Sequence, residues 1–214
     1  MNIINAGYEF ITHIDGNEVL KKIEQAGRVC YKSEDLITED SAKKFCENII
    51  KRKHEAVLEH YSFTVKFIVD RGVSHEIVRH RVASYCQEST RYCNYSKDKF
   101  SNEITVIKPC FWRENEETND EYVKFAIWER SMRDAEAAYF ELLERGATPQ
   151  EARSVLPNSL KTEVVMTANI REWRHFFNLR TSSAAHPQIR EVAIPLLKEL
   201  QEKIPVLFDD IEVE

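Results

Sequence analysis

A chain of 214 residues with 43% hydrophobic and 10% aromatic residues can bury a proper core and is too apolar to stay disordered. Its formal net charge of −6 argues against binding nucleic acid or membranes through overall charge. No apolar run approaches a membrane span, and MNIINAGYEF has neither the charged start nor the apolar core of a signal peptide, so a cytoplasmic protein is expected.

In chain order, residues 16–31 (GNEVLKKIEQAGRVCY) have helical spacing through Val19, Leu20, Ile23 and Ala26. A second helix is expected within 39–55, with Phe45, Ile49 and Ile50 on one face and a basic last turn that suits the helix dipole. Residues 61–69 alternate cleanly: Phe63, Val65, Phe67 and Val69 point one way, Ser62, Thr64 and Lys66 the other, as in a half-buried strand. After Arg71-Gly72, Ser74 is the expected cap of a helix through HEIVRHRVASY. EITVIKP at 103–109 reads as a short strand ended by proline. A long amphipathic helix at 119–146 is expected to be apolar at Tyr122, Phe125, Ala126, Met132, Ala135, Tyr139 and Leu142 and closed by Gly146. TPQE at 148–151 combines a capping threonine, proline at the first helical position and glutamate at the third. LKTEVVMTAN is strand-like, REWRHFFNLR helical, and 187–204 a last helix bent near Pro195. Strands and helices mix without regular alternation, which predicts an α+β fold with a small antiparallel-type sheet, residues 1–214 forming one domain.

The five cysteines (Cys30, Cys46, Cys86, Cys93 and Cys110) are odd in number and form no CxxC pair, so free thiols are expected rather than a disulfide framework or zinc ribbon. HEIVRH resembles a zinc-protease signature, but His75 and His80 are five residues apart, about 140° around a helix, and cannot share a metal from one face. No metal site is expected, and His75 reads as a surface residue. Neither GxGxxG nor GxxxxGK[ST] occurs, so any nucleotide-like ligand must be held by side chains. Arginine suits that task, because its planar fork meets phosphate oxygens in paired hydrogen bonds. Between Arg71 and Tyr92 four arginines face two glutamates, a basic island on an acidic chain. A second set, Arg153, Arg171, Arg174 and Arg180, lies downstream. Spacing alone leaves these residues, and the helix-end histidines His54 and His60, as candidates for ordinary solvated groups.

Four motifs change that weighting. RHRVASYCQES fits RHR-x7-S, HEAVLEHYSFT resembles HxSxxEHxxFT, and RSVLP and NIREWRHFFNLR resemble two further blocks in the same order, over about residues 54–194. On these motifs the chain resembles the flavin-dependent thymidylate synthases. The resemblance implies methylation of dUMP to dTMP with methylenetetrahydrofolate as carbon donor, FAD as hydride carrier and NADPH as reductant. It also implies a homotetramer with sites shared between chains, and no nucleic-acid polymer as partner. Carried over by position, Arg79, His80 and Arg81 would contact the flavin, Arg79 also reaching a partner chain's nucleotide. Gln87, Glu88, Ser89, Thr90 and Arg91 would form the dUMP loop, with Ser89, Arg91 and Arg153 on the phosphate. Asn169, Ile170, Arg171 and His175, with Gln87, would line the flavin, and Arg180 would polarise the uracil ring. His54 matches a histidine near the flavin. Ala56 stands in a flavin-contacting position where the family commonly has Ser or Thr. Glu76 occupies a substrate-side position often filled by glutamine. No cysteine carries a supporting base, so uracil activation is expected to come from the positive charge of Arg180 rather than from a thiol adding to the ring. Two other readings remain open at this stage. A catalytically silent flavin- or nucleotide-binding homologue would keep the arginines; an RNA-binding protein would need an aromatic platform that the island lacks.

Overall fold

The computed structural model describes residues 1–97, 100–112 and 119–213. Its strands are β1 (Asn2–Ile4), β2 (Gly7–Phe10), β3 (Ser62–Asp70), β4 (Ala83–Gln87), β5 (Thr105–Ile107) and β6 (Lys161–Asn169). The helices are α1 (Gly16–Val29), α2 (Ser41–Lys51), α3 (Arg71–Ile77), α4 (Asn119–Glu144), α5 (Pro149–Ala152), α6 (Ile170–Arg180), α7 (Pro187–Lys203) and α8 (Pro205–Phe208). Four strands form a sheet in the order β2-β3-β6-β4, and β1 pairs with β5 separately. Helices and small sheets are mixed, as the α+β reading expects. The β1–β5 pair is parallel, with Asn2 opposite Thr105 and Ile4 opposite Ile107, which corrects the antiparallel-type expectation for that pair. A parallel pair needs a long crossover rather than a hairpin, and here residues 5–104 intervene.

The chain divides into two compact units. The first comprises Met1–Gly7, Phe67–Ile77 and Cys86–Val164; the second Tyr8–Lys66, Val78–Tyr85 and Val165–Glu214. In the first, α4 buries Phe125, Trp128, Met132 and Tyr139 against Tyr95, Ile104, Val106 and Leu160. Trp128 brings its ring N–H to Ser159 Oγ at 3.1 Å, so the large ring is buried without an orphaned donor. Tyr122, expected on the apolar face, is exposed; the buried stripe runs through Trp128 instead. Gly146 takes a positive φ of 92°, a conformation that closes a helix cheaply only without a Cβ. The expected capping box is present: Thr148 and Glu151 satisfy each other's backbone N–H at the start of α5.

In the second unit, α1 and α2 pack closely. A Cβ on Gly27 would come within 2.5 Å of the Phe45 ring, so glycine is what permits this approach. Asp15 caps α1 by accepting from Glu18 N. Trp173 of α6 is fully buried and stacks on Phe63 with ring centroids 4.8 Å apart. Burying side chains of this size contributes about 2–3 kcal/mol each, enough to fix which face of α6 turns inward. Among the described residues, no helix is long and apolar enough to cross a membrane.

The helix expected through HEIVRHRVASY ends much earlier, at Ile77, and starts earlier too. Asp70, not Ser74, accepts from the first turn (Val73 N to Oδ1, 2.7 Å), while Ser74 Oγ donates back to Arg71 O. Residues 83–87 join the sheet beside β6. Pairing with the sheet overrides the helical spacing of this stretch, although apart from Tyr85 its residues have no strand preference of their own. The result is that Arg79, His80 and Arg81 lie in an irregular link, not on a helix.

Candidate active site

In the second unit, β6 delivers the chain into α6 at Asn169, whose side chain accepts from Glu172 N at 2.9 Å. Ile170 is fully buried and its N–H donates to Tyr61 O at 3.0 Å, which pins the first turn. With Trp173, Phe176 and Phe177 buried, the 3.6-residue period leaves Arg171, His175 and Asn178 on the outward stripe. That stripe, with Asn169, Glu172, Arg174 and the exposed Val82, lines a cavity of about 400 Å³. Glu55 and Glu59 complete the lining, from the segment Glu55–His60. His54 and Ala56 are exposed on the same segment and do not line the cavity.

Arg171 Nη1 lies 2.6 Å from Glu59 and its Nε 3.8 Å from Glu55. Arg171 and Glu59 are about half exposed, so solvent screens the pair and a ligand anion can readily replace it. Arg174 is different. It is buried, grips Asp210 through two bonds of 2.7 Å and also donates to Leu207 O, so it anchors the chain after α8. Arg79 and Arg81 are exposed and make no hydrogen bond or ion pair with any described residue.

Between those two free guanidinium groups His80 turns inward and is buried. Its ring lies 4.9 Å from the Phe176 ring and 5.6 Å from that of His175, and Tyr85 donates its hydroxyl to His80 O at 2.7 Å. Arg180 Nε donates to His80 Nε2 at 3.1 Å. An imidazole nitrogen that accepts from a guanidinium carries no hydrogen, so the ring hydrogen belongs on Nδ1. Burial, then the neighbouring Arg180 and His175 side chains, push the His80 pKa down from 6.5 to about 4, so the ring is neutral at physiological pH. Burial also raises the Glu172 carboxyl, an effect His175 partly opposes.

His80, Glu172 and His175 offer donor atoms within 4.8 Å of one another, a grouping that could hold a metal ion. The tautomer argues against this use. A ligating histidine donates its second nitrogen's hydrogen to an acceptor, whereas His80 accepts there from a permanent cation.

The first unit holds the other expected set. Arg153 Nη1 reaches Thr90 Oγ1 at 3.4 Å, a long contact that leaves the exposed guanidinium largely uncommitted. Ser89 Oγ accepts from Arg91 N at 3.3 Å, and the Arg91 guanidinium lies 5.5 Å from the Tyr92 ring centroid. Gln87 Nε2 donates to Ser74 Oγ (3.0 Å) and Thr162 Oγ1 (3.3 Å), both buried, so its amide is held in place. Glu88 faces Lys161 at 3.0 Å and accepts from Tyr95 at 3.3 Å, which ties its carboxylate into protein contacts. Glu76 is half-buried on α3.

The structure thus brings His80, Asn169, Arg171, His175 and Arg180 together in one unit, and Gln87, Ser89, Thr90, Arg91 and Arg153 in the other. The sequence reading missed Glu172, Glu55 and Glu59. Glu172 stands three residues after the capping Asn169, so its position reads as an ordinary capping box; its carboxylate turns to His80 instead, 3.3 Å from Nδ1.

Residues 10–206 match the family described as thymidylate synthase complementing protein. The chain belongs to that family. A flavin-dependent thymidylate synthase of Corynebacterium aurimucosum is 34% identical over 203 residues, 89% of this chain and 79% of the relative. One from Geobacter sulfurreducens is 33% identical over 192 residues, covering 86% and 78%. One from the archaeon Pyrococcus furiosus is 34% identical over 168 residues, covering 78% and 66%. The family match spans most of both compact units, so the arginine island and the α6 stripe both fall inside it.

Proposed function

We propose that this family member is a flavin-dependent thymidylate synthase that converts dUMP, methylenetetrahydrofolate, NADPH and a proton into dTMP, tetrahydrofolate and NADP⁺. The observation that carries the reading is the convergence of RHR and α6: His80 and Arg180, a hundred residues apart, are hydrogen-bonded at 3.1 Å beside a cavity lined by the second block.

The residues present fit a flavin dinucleotide. Arg79 and Arg81 are cations without a partner among the described residues, Arg171 is paired with the exposed Glu59 and the half-buried Glu55, and Val82 gives the cavity an apolar wall. Arg79, Arg81 and Arg171 would bind its phosphates, while Asn169, Ile170, His175 and Gln87 would position its rings; His54 and Ala56 lie beside that lining. FAD, when bound, supplies the hydride chemistry that no side chain can. Ser89, Thr90, Arg91 and Arg153 would bind the dUMP phosphate through charge-assisted bonds, with Glu76 and Glu88 on the substrate side. Arg180 would sit at the N3/O2 edge of uracil, where negative charge builds as C5 becomes nucleophilic. His80 is neutral at physiological pH and would not compete for that charge. We further propose that the chain works as one functional domain of a cytoplasmic homotetramer, as the family resemblance implies.

Arg180→Ala tests the reading. An interaction made mainly in the transition state lowers turnover itself. The variant should retain FAD and its fold but lose dTMP formation at saturating dUMP, and Arg180→Lys should rescue little, since an ammonium lacks the two-donor fork. Near-normal turnover in folded Arg180→Ala would make Arg180 a bystander.

A further inference from the structure

We infer that Glu172 is a positioning residue for Arg180, acting through the imidazole of His80. The inference rests on the proposed role of Arg180 at the uracil edge. Glu172 Oε1 lies 3.3 Å from His80 Nδ1, and His80 Nε2 accepts from Arg180 Nε at 3.1 Å, so carboxylate, imidazole and guanidinium stand in a row. Both ends of the row favour one polarity, the donating guanidinium and the accepting carboxylate. Arg180 can only donate, so Nε2 must present a lone pair, and the ring hydrogen on Nδ1 faces the carboxylate.

Glu172 and His80 are both buried, and Nδ1 has no aligned hydrogen-bond partner among the described residues. A buried N–H left in that state is costly, and the carboxylate 3.3 Å away is close enough to take it with a small ring rotation. The groups facing this row are His175 on α6 and Tyr85 on β4, whose hydroxyl is already given to His80 O. The capping alternative for Glu172 is weak. At α5 the corresponding Glu151 does reach back, to Thr148 N at 2.7 Å, whereas the Glu172 carboxylate is turned to the histidine.

Without the carboxylate, His80 can take the other tautomer. Its Nε2–H would then oppose the Arg180 Nε–H, two donors facing each other, and the guanidinium would lose its seat. Removing the positioning group therefore degrades Arg180 geometry without removing Arg180. The same logic makes an orienting acid worth far more than its distance from the chemistry suggests.

The experiment compares Glu172→Ala and Glu172→Gln with the parent protein, each loaded with FAD. Glu172→Gln keeps an acceptor for Nδ1–H, so turnover should stay within about threefold of the parent. Glu172→Ala should lower kcat by on the order of a hundredfold, the scale of a misplaced catalytic group, with a smaller change in KM for dUMP. Histidine-selective ¹⁵N spectra, with the His80 signal identified by its loss in His80→Asn, should give hydrogen on Nδ1 in the parent and a shift toward Nε2 in Glu172→Ala. Unchanged kcat in folded Glu172→Ala overturns the inference. So does equal loss in the Gln and Ala variants, and so does hydrogen on Nε2 in the parent, a readout that stands even if Glu172→Ala does not fold. A parent protein that forms no dTMP would instead refute the synthase reading.

Discussion

Acidification should destabilise the protein through one buried ring. His80 has 2% of its side chain exposed, and its pKa falls from 6.5 to about 4 because burial, Arg180 and His175 all disfavour the imidazolium. Above 6.5 the ring is neutral in both folded and unfolded chains, and its contribution is constant. As the pH falls below 6.5 the unfolded chain takes up a proton that the folded chain refuses, so stability is lost progressively until the folded pKa near 4 is reached. At 1.36 kcal/mol per pH unit, the gap between 6.5 and about 4 amounts to about 3 kcal/mol. That is a large share of the roughly 5–15 kcal/mol that holds a typical domain together. Glu172 works the other way, since its carboxyl is raised and protonates first in the folded chain, while Tyr85 does not titrate in this range. Comparison with His80→Gln, which keeps Glu172, isolates the histidine. Urea unfolding followed at several pH values from about 7 to 4.5 measures it. The parent should lose stability more steeply than His80→Gln on acidification. Parallel curves for the two proteins would mean that His80 is not held neutral, and the tautomer argument would fall with it.

Arg153→Ala should raise the dUMP concentration needed for half-maximal rate by roughly ten- to a hundredfold with turnover at saturation nearly unchanged, the signature of a lost phosphate contact; unchanged dUMP affinity would remove Arg153 from the phosphate site. Asp210→Asn should destabilise the fold by about 1–2 kcal/mol at neutral pH in urea unfolding, because it leaves the buried Arg174 with only the more distant Glu55, 4.0 Å away, as counter-charge. Arg174 also holds the Asp210 carboxyl below its ordinary 3.8, so this stabilisation is present above that pH and lost as the pH falls through the lower folded value, and the variant should lack that acid limb.

The parts of the fold legible in the sequence were those where one local pattern decides the outcome. Phe63, Val65, Phe67 and Val69 alternate and are all buried, because β3 has one face on the core. Thr148-Pro149 and Gly146 mark their helix ends through backbone chemistry that needs no tertiary partner. The stretch after Ile77 was not legible, since Ala83–Gln87 is decided by pairing with a strand some eighty residues later. Among site residues, Arg79, His80 and Arg180 carry recognisable motifs. Their division of labour does not show in spelling: His80 is buried and accepts, while Arg79 and Arg81 stay exposed, with no partner among the described residues. Glu172 was hidden because its spacing from Asn169 already has a local explanation.

The proposed flavin site serving dUMP methylation is the cavity on the outer stripe of α6, with the arginines flanking His80. Titrating the purified, flavin-stripped protein with FAD and following the flavin absorbance and fluorescence, then adding dUMP, tests it most directly. Saturable FAD uptake is expected, weakened in an Arg79→Ala/Arg171→Ala double variant, with a further change in the flavin spectrum when dUMP binds. A folded protein that takes up no FAD, or takes it up equally well without those two arginines and ignores dUMP, would contradict it.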